Sequence, residues 1–175
     1  MKISIDVFSP SSIDAAIDKI ENYGKSLEKK AQEVCERLGN LGYEVAFQLL
    51  AEHIYSGETI SSLQLIEESP NKYVLQAGSV ALLFLEFGSG VQGVGHPLAG
   101  QFNMGAGTYP GQKHALDPNG WWFPTDDANL AVYTDKSGQM WGHSKGNPPQ
   151  MPMYQTSLKI REDAEKVVRE VFGHD

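Results

Sequence analysis

Apolar residues recur at steps of three and four through Ile13, Ile17, Ile20, Leu27, Ala31, Val34, Leu38, Leu41, Val45 and Leu49, with Gly24 in the seam between Ile20 and Leu27. That spacing lays the side chains along one face of an α-helix. A glycine weakens a helix locally, so the pattern predicts two helices, or one kinked near Tyr23-Gly24, over residues 12–55. Ahead of them Ile3, Ile5 and Val7 alternate at period two and predict a short strand. Ser11 followed by Asp14 has the form of a capping box at the helix start. If residues 25–55 form one helix, it is about 46 Å long at 1.5 Å per residue. A domain of this chain length is about 40 Å across. The helix then overshoots its own globule, and a protruding apolar stripe asks for a partner, most cheaply a second copy. The alternative is that Gly39 and Gly42 bend the helix so that it packs within one chain. Cys35 flanks the stripe and reads as a small buried apolar residue.

Ser56-Gly57 stops the helix. Residues 62–68 and 72–78, separated by Ser69-Pro-Asn71, predict two strands joined by a turn. Residues 80–87 mix good helix formers with aromatics and are ambiguous by period. Residues 88–111 hold eight glycines in 24 positions together with Pro97 and Pro110, which predicts a long loop or flap. Residues 121–123, 130–134 and 139–142 are β-prone. Ile160, Ala164, Val167 and Val171 share a face of a last helix that Gly173 can end. The chain therefore predicts an α+β fold in a single domain over residues 1–175. Its long N-terminal amphipathic helix and C-terminal helix pack on a small, mainly antiparallel β-sheet, with a Gly-rich insert at about 88–120.

Length and charge narrow the function. A chain of 175 residues needs no disulfide or metal to stabilise its core. Cys35 is the only cysteine, which excludes an internal disulfide and a cysteine zinc cluster. Fourteen basic against 22 acidic residues give a net charge of -8, with no basic cluster to neutralise phosphates, so sequence-specific nucleic-acid binding is not expected. The N-terminus lacks the continuous apolar core of a signal peptide. No run approaches the roughly 20 apolar residues that cross a bilayer, and a soluble protein is expected.

Four chemical motifs are present in outline. Gly88-x-Gly90-x-x-Gly93 matches a dinucleotide-binding expression, but Val94-Gly-His-Pro-Leu-Ala-Gly100 cannot open the helix whose amides would hold a pyrophosphate. His96, His114 and His143, with Asp117, Asp126 and Asp127, suggest a metal site. The histidines stand 18 and 29 residues apart in irregular segments with no close ligand pair, so surface or packing roles fit better. No nucleophile elbow exists, and Cys35 and His53 lie five turns apart on the predicted helix. Trp121, Trp122, Phe123 and Trp141 are either a ligand platform or a core and subunit contact. The latter is favoured because no set of polar orienting groups accompanies them. No enzyme activity, cofactor or metal is expected.

The order of parts resembles one family. An N-terminal "ISIDVFSPSSIDAAI", a long amphipathic helix, a strand pair leading to "YVLQAGSVALLFLEFGSG", a Gly-rich stretch and "GNPPQMPMYQTSLKI" running into a final helix are similar to the tailed-phage minor tail-component or neck family. That family is named after gene product 10 of phage Hong Kong 97. Leu85-Glu-Phe-Gly88 is similar to its Glu-Phe-Gly-Thr signature, with Ser89 where threonine is usual. Pro148-Pro-Gln-Met-Pro-Met153 looks like its Pro-Phe-centred segment, with Met153 in place of phenylalanine. The resemblance spans about residues 3–172.

It implies a non-enzymatic virion or prophage protein at the head-tail junction, assembling as a homo-oligomeric ring against neighbouring connector and tail proteins. It also implies a helix over residues 80–87 ended by Gly88 as a left-handed cap, with Glu86 and Phe87 anchoring the flap. Glu86, Phe87, Gly88, Trp121, Trp122, Pro152 and Met153 are the motif and interface candidates. A phage-encoded metal-dependent or cell-wall hydrolase using the His- and Trp-rich loop is the alternative, and a monomeric adaptor the third reading.

Overall fold

The computed structural model describes residues 2–52, 57–105 and 116–173. Its elements are α1 (Pro10–Glu52), α2 (Gly57–Ser61), β1 (Gln64–Ser69), β2 (Lys72–Gln76), α3 (Val80–Phe87), a 3-10 turn (Gly90–Gln92), β3 (Trp121–Pro124), β4 (Tyr133–Thr134), β5 (Met140–Ser144) and α4 (Pro152–Phe172). The fold is α+β, with long first and last helices and two small antiparallel sheets, β1-β2 and β3-β5-β4.

The expected N-terminal strand does not form. Alternation alone leaves a strand's amides and carbonyls without a neighbour, and here local turns take them instead. The Phe8 N–H donates to Asp6 Oδ1 at 3.0 Å and the Asp6 N–H to Ser12 Oγ at 2.8 Å. The helix start also shifts from Ser11. Pro10 is the first helical residue, where its missing N–H costs nothing, and the Ser9 carbonyl accepts from Ser12 and Ile13. α1 then runs as one continuous helix of 43 residues, about 64 Å long. The break expected near Gly24 is absent, because one glycine costs about 1 kcal/mol relative to alanine, too little to interrupt a helix this long.

Two compact units contain the described chain: residues Met1–Glu44, Gln64–Gln76 and Lys159–Asp175 form the first, and Val45–Leu63 and Ala77–Leu158 the second. In the first, β1 and β2 pair in the register Leu65↔Leu75 and Ile66↔Val74, with a bulge between Glu67 and Ser69. Gly39 and Gly42 lie within uninterrupted helix and act as low points for packing rather than as bends. A Cβ at Gly39 would stand 3.2 Å from the Cβ of Tyr73, and one at Gly42 would stand 2.7 Å from Ile160 Cδ1. The glycines thus bring the hairpin and α4 against the same face of α1. Lys30 lies 5.7 Å from the centroid of the Phe172 ring and Arg37 pairs with Glu170 at 3.5 Å. The half-buried Cys35 thiol donates to the Asn71 carbonyl.

In the second unit Ala46, Leu50, Leu63, Leu82 and Phe87 are buried, together with Thr156 and Pro152 at the start of α4. α3 resolves the ambiguity of residues 80–87. Ser79 caps it by accepting the Leu82 N–H at 3.0 Å, and its hydroxyl meets that of Thr59 at 2.8 Å. The Gly-rich stretch departs from the expected flap over its first part: residues 86–90, Gly93 and His96 are buried. The remainder of the insert at 106–115, including His114, lies outside the described residues, as does His53.

The two kinds of glycine in α1 should separate experimentally. Gly24→Ala meets open space and should stabilise by up to about 1 kcal/mol, raising the thermal midpoint by roughly 2–4 °C. Gly42→Ala must displace Ile160 and should give a smaller rise or a fall. Equal rises for both, in paired thermal melts, would refute the packing role of Gly42.

Candidate functional site

α3 reads Val-Ala-Leu-Leu-Phe-Leu-Glu-Phe, an apolar helix with one charge, Glu86. A buried carboxylate is costly unless its oxygens are hydrogen-bonded, and Glu86 is buried. Its partners come from 67 and 68 residues away. Oε2 accepts the Met153 N–H at 2.8 Å, and Oε1 accepts the Tyr154 N–H at 2.9 Å. These are amides of the first turn of α4, which have no partner inside the helix. The helix dipole adds to the attraction of the negative charge.

Why α4 needs an outside cap follows from its sequence. The Met151 carbonyl accepts the Gln155 N–H at 2.9 Å, which makes Met151 the capping residue, and a thioether side chain is a poor acceptor for first-turn amides. Met151 also sits at φ 60, uncommon for a side chain without a polar group close to the backbone. The Leu85 carbonyl holds it there, accepting from Gln150 at 2.7 Å and Met151 at 3.2 Å.

His96 completes the group. Its Nδ1 accepts the Leu98 N–H at 3.1 Å, and its Nε2 faces Glu86 Oε1 at 3.0 Å. The neutral ring with its proton on Nε2 satisfies both contacts. The His96 ring lies 4.5 Å from that of Phe87 and 5.4 Å, edge-on, from that of Tyr154. Both ring nitrogens and both carboxylate oxygens of this pair therefore serve to fix the start of α4.

One residue beyond α3 the backbone is clamped again. Ser89 and Asn147 exchange hydrogen bonds in both directions, at 2.8 and 3.1 Å, and Ser89 Oγ accepts the same Asn147 N–H at 3.1 Å. Such an approach leaves no room for side chains at Gly88 or Gly146. A Cβ at Gly88 would lie 2.7 Å from the Asn147 carbonyl oxygen, and one at Gly146 would overlap the Ser89 carbonyl. Gly88 does end α3 with positive φ, but at φ 76 and ψ -173 it is extended and not left-handed helical. That region is essentially confined to glycine.

Five of the sequence candidates, Glu86, Phe87, Gly88, Pro152 and Met153, thus belong to one assembly. Trp121 and Trp122 belong to another, the β3-β5-β4 sheet. Trp122 pairs with His143 across β3 and β5, Tyr133 pairs with Trp141 across β4 and β5, and Trp122, Tyr133 and His143 rings meet at 5.3 and 4.6 Å. Trp122 is half exposed. Asp135 organises the β4-β5 turn. Its Oδ1 accepts from the Ser137 hydroxyl, the Ser137 N–H and the Gln139 N–H, and its Oδ2 from Trp141 Nε1 at 3.0 Å. The bond from Ser137, followed by that from Trp141, holds its carboxyl down at about 2.

His96 was missed as a member of the site. The signal for it was the single charge in an apolar helix, which demands donors nearby. Among the described residues no three or more His, Cys, Asp or Glu side chains gather as metal ligands. Compared with known protein families, curated proteins and solved structures, the chain finds no match in any of the three.

Removing the cap should be costly. Glu86→Ala leaves two amides and a buried histidine without their acceptor, and should destabilise by about 3 kcal/mol in chemical denaturation. Glu86→Gln, which turns an amino group toward one of the donors, should fall between that variant and the parent. An Ala variant as stable as the parent would contradict the capping role.

The acid response of the β4-β5 turn follows from Asp135. Its folded-state pKa lies below the ordinary 3.8, so its stabilising effect is complete above about pH 4 and is lost as pH falls toward 2. Trp141 fluorescence should report this acid loss, and Asp135→Asn should weaken the turn at neutral pH and flatten the titration. An unaltered acid transition in that variant would assign the effect elsewhere.

Proposed function

We propose that this chain is a structural protein of a tailed phage or prophage, placed at the head-tail junction, where copies form a ring that joins or completes the tail. One observation carries the reading. The two segments on which the resemblance rests, Leu85-Glu-Phe-Gly88 and Pro148-Pro-Gln-Met-Pro-Met153, meet through Glu86, Met153 and Tyr154. That the two segments form one hydrogen-bonded unit supports reading them as parts of a single motif.

Two further features support it. Large apolar side chains stand exposed along the first half of α1, including Ile17 and Ile20, and Phe8 just ahead of it is 94% exposed, which suits a protein buried among copies or neighbours. A net charge of -8 suits a DNA conduit, because an acidic lining repels phosphates. Among the described residues no helix is long and apolar enough to cross a membrane.

The test is particle assembly. Particles made without this protein should accumulate as filled heads and separate tails, rejoined when the protein is supplied. Electron microscopy of complete particles should show it as a ring between portal and tail. Complete, infectious particles lacking the protein would end the reading.

A further inference from the structure

We infer that residues 13–27 of α1 form one strand of a parallel, in-register coiled coil between copies of this chain. The inference rests on the self-assembly part of the proposed function and is independent of the virion location. α1 carries a strict heptad: Ile13, Ile17, Ile20, Gly24, Leu27, Ala31, Val34, Leu38, Leu41 and Val45 follow one another at alternating steps of four and three. A seam of period 3.5 matches a second supercoiled helix better than it matches a globular core.

The two halves of the seam differ in what covers them. Ala31, Val34, Leu38, Leu41 and Val45 are half-buried, on the part of α1 where Gly39 and Gly42 admit the hairpin and α4. Ile13, Ile17, Ile20 and Leu27 are 40%, 49%, 54% and 37% exposed. Gly24, at the seam position between them, has nothing within 4 Å of where its Cβ would stand.

The flanking charges select the occupant and its direction. With Ile17 as heptad position a and Ile20 as d, the e positions are Asp14, Glu21 and Glu28, and the g positions are Ala16, Tyr23 and Lys30. Antiparallel copies set e against e, opposing Glu21 to Glu21 and Asp14 to Glu28, which like-charge repulsion disfavours. Parallel copies set e against g, so Glu21 faces no like charge and Glu28 meets Tyr23, whose phenol can donate to the carboxylate. A lipid surface fits poorly, because the stripe is narrow and edged on one side by Asp14, Glu21 and Glu28, whereas membrane-lying helices present a broad apolar face edged by lysine and arginine.

Cysteine cross-linking of the full chain in a Cys35→Ser background tests this. Ile20→Cys and Leu27→Cys, both at d, should oxidise to disulfide-linked pairs at least about tenfold faster than Asn22→Cys on the outer face, because parallel in-register strands bring each d residue against itself. Gly24→Leu should fill the seam and shift self-association to lower concentration in analytical ultracentrifugation, whereas Ile17→Asp should shift it higher with unchanged circular dichroism. Equal cross-linking at all three sites, or none at either seam position, overturns the inference, as does binding of the stripe to anionic lipid vesicles in place of self-association. A ring seen on particles without seam cross-linking would refute the coiled coil and leave the proposed function standing. Seam cross-linking in a protein absent from the head-tail junction would do the reverse.

Discussion

A single buried carboxylate sets the geometry of one half of this molecule. Glu86 ends an apolar helix and, by accepting two first-turn amides of α4, fixes where that helix begins. His96 holds the carboxylate in turn and is itself held by the Leu98 amide. The energy of the arrangement lies less in attraction gained than in penalty avoided. Glu86 and His96 are both buried, and either one left unpaired would cost more than the net gain from its bond.

Much of the fold was legible because the chain obeys local rules where it packs simply. The α1 stripe, the β1-β2 pair around Pro70-Asn71, the β3 aromatics and the α4 face all follow from periodicity and turn chemistry. The misreadings share one physical cause, which is that sequence reports local preference while partners are decided across the chain. Ile3, Ile5 and Val7 have the alternation of a strand but no strand beside them. Gly24 has the composition of a break, yet it is carried by the helix on either side.

The candidate site shows the same boundary. Gly88, Gly90 and Gly93 look like a phosphate loop or the root of a flap, but at Gly88 and Gly90 the missing side chain serves a close crossing with residues 145–149, and at Gly93 a close approach to the backbone of Gly88 and Ser89. Nothing in the local sequence announces Met151 at positive φ. Only the charge on α3 and the missing polar cap on α4, taken together, hint that the two belong to each other.

The Ser89-Asn147 exchange also divides the chain in a topological sense. The segment from Val91 to Lys145 leaves and re-enters the fold at one double-bonded crossing, so its ends are fixed whatever its middle does. Closing a loop of n residues costs chain entropy that grows only with the logarithm of n, about 0.6 kcal/mol for each doubling. Beyond His96 and Leu98, which hold Glu86 itself, the crossing therefore insulates the cap from the length and content of the rest of that segment, including the β3-β5-β4 sheet. Segments could be added to or removed from the part after Leu98 at little thermodynamic cost to α4, and that part is where this scaffold has room to diversify.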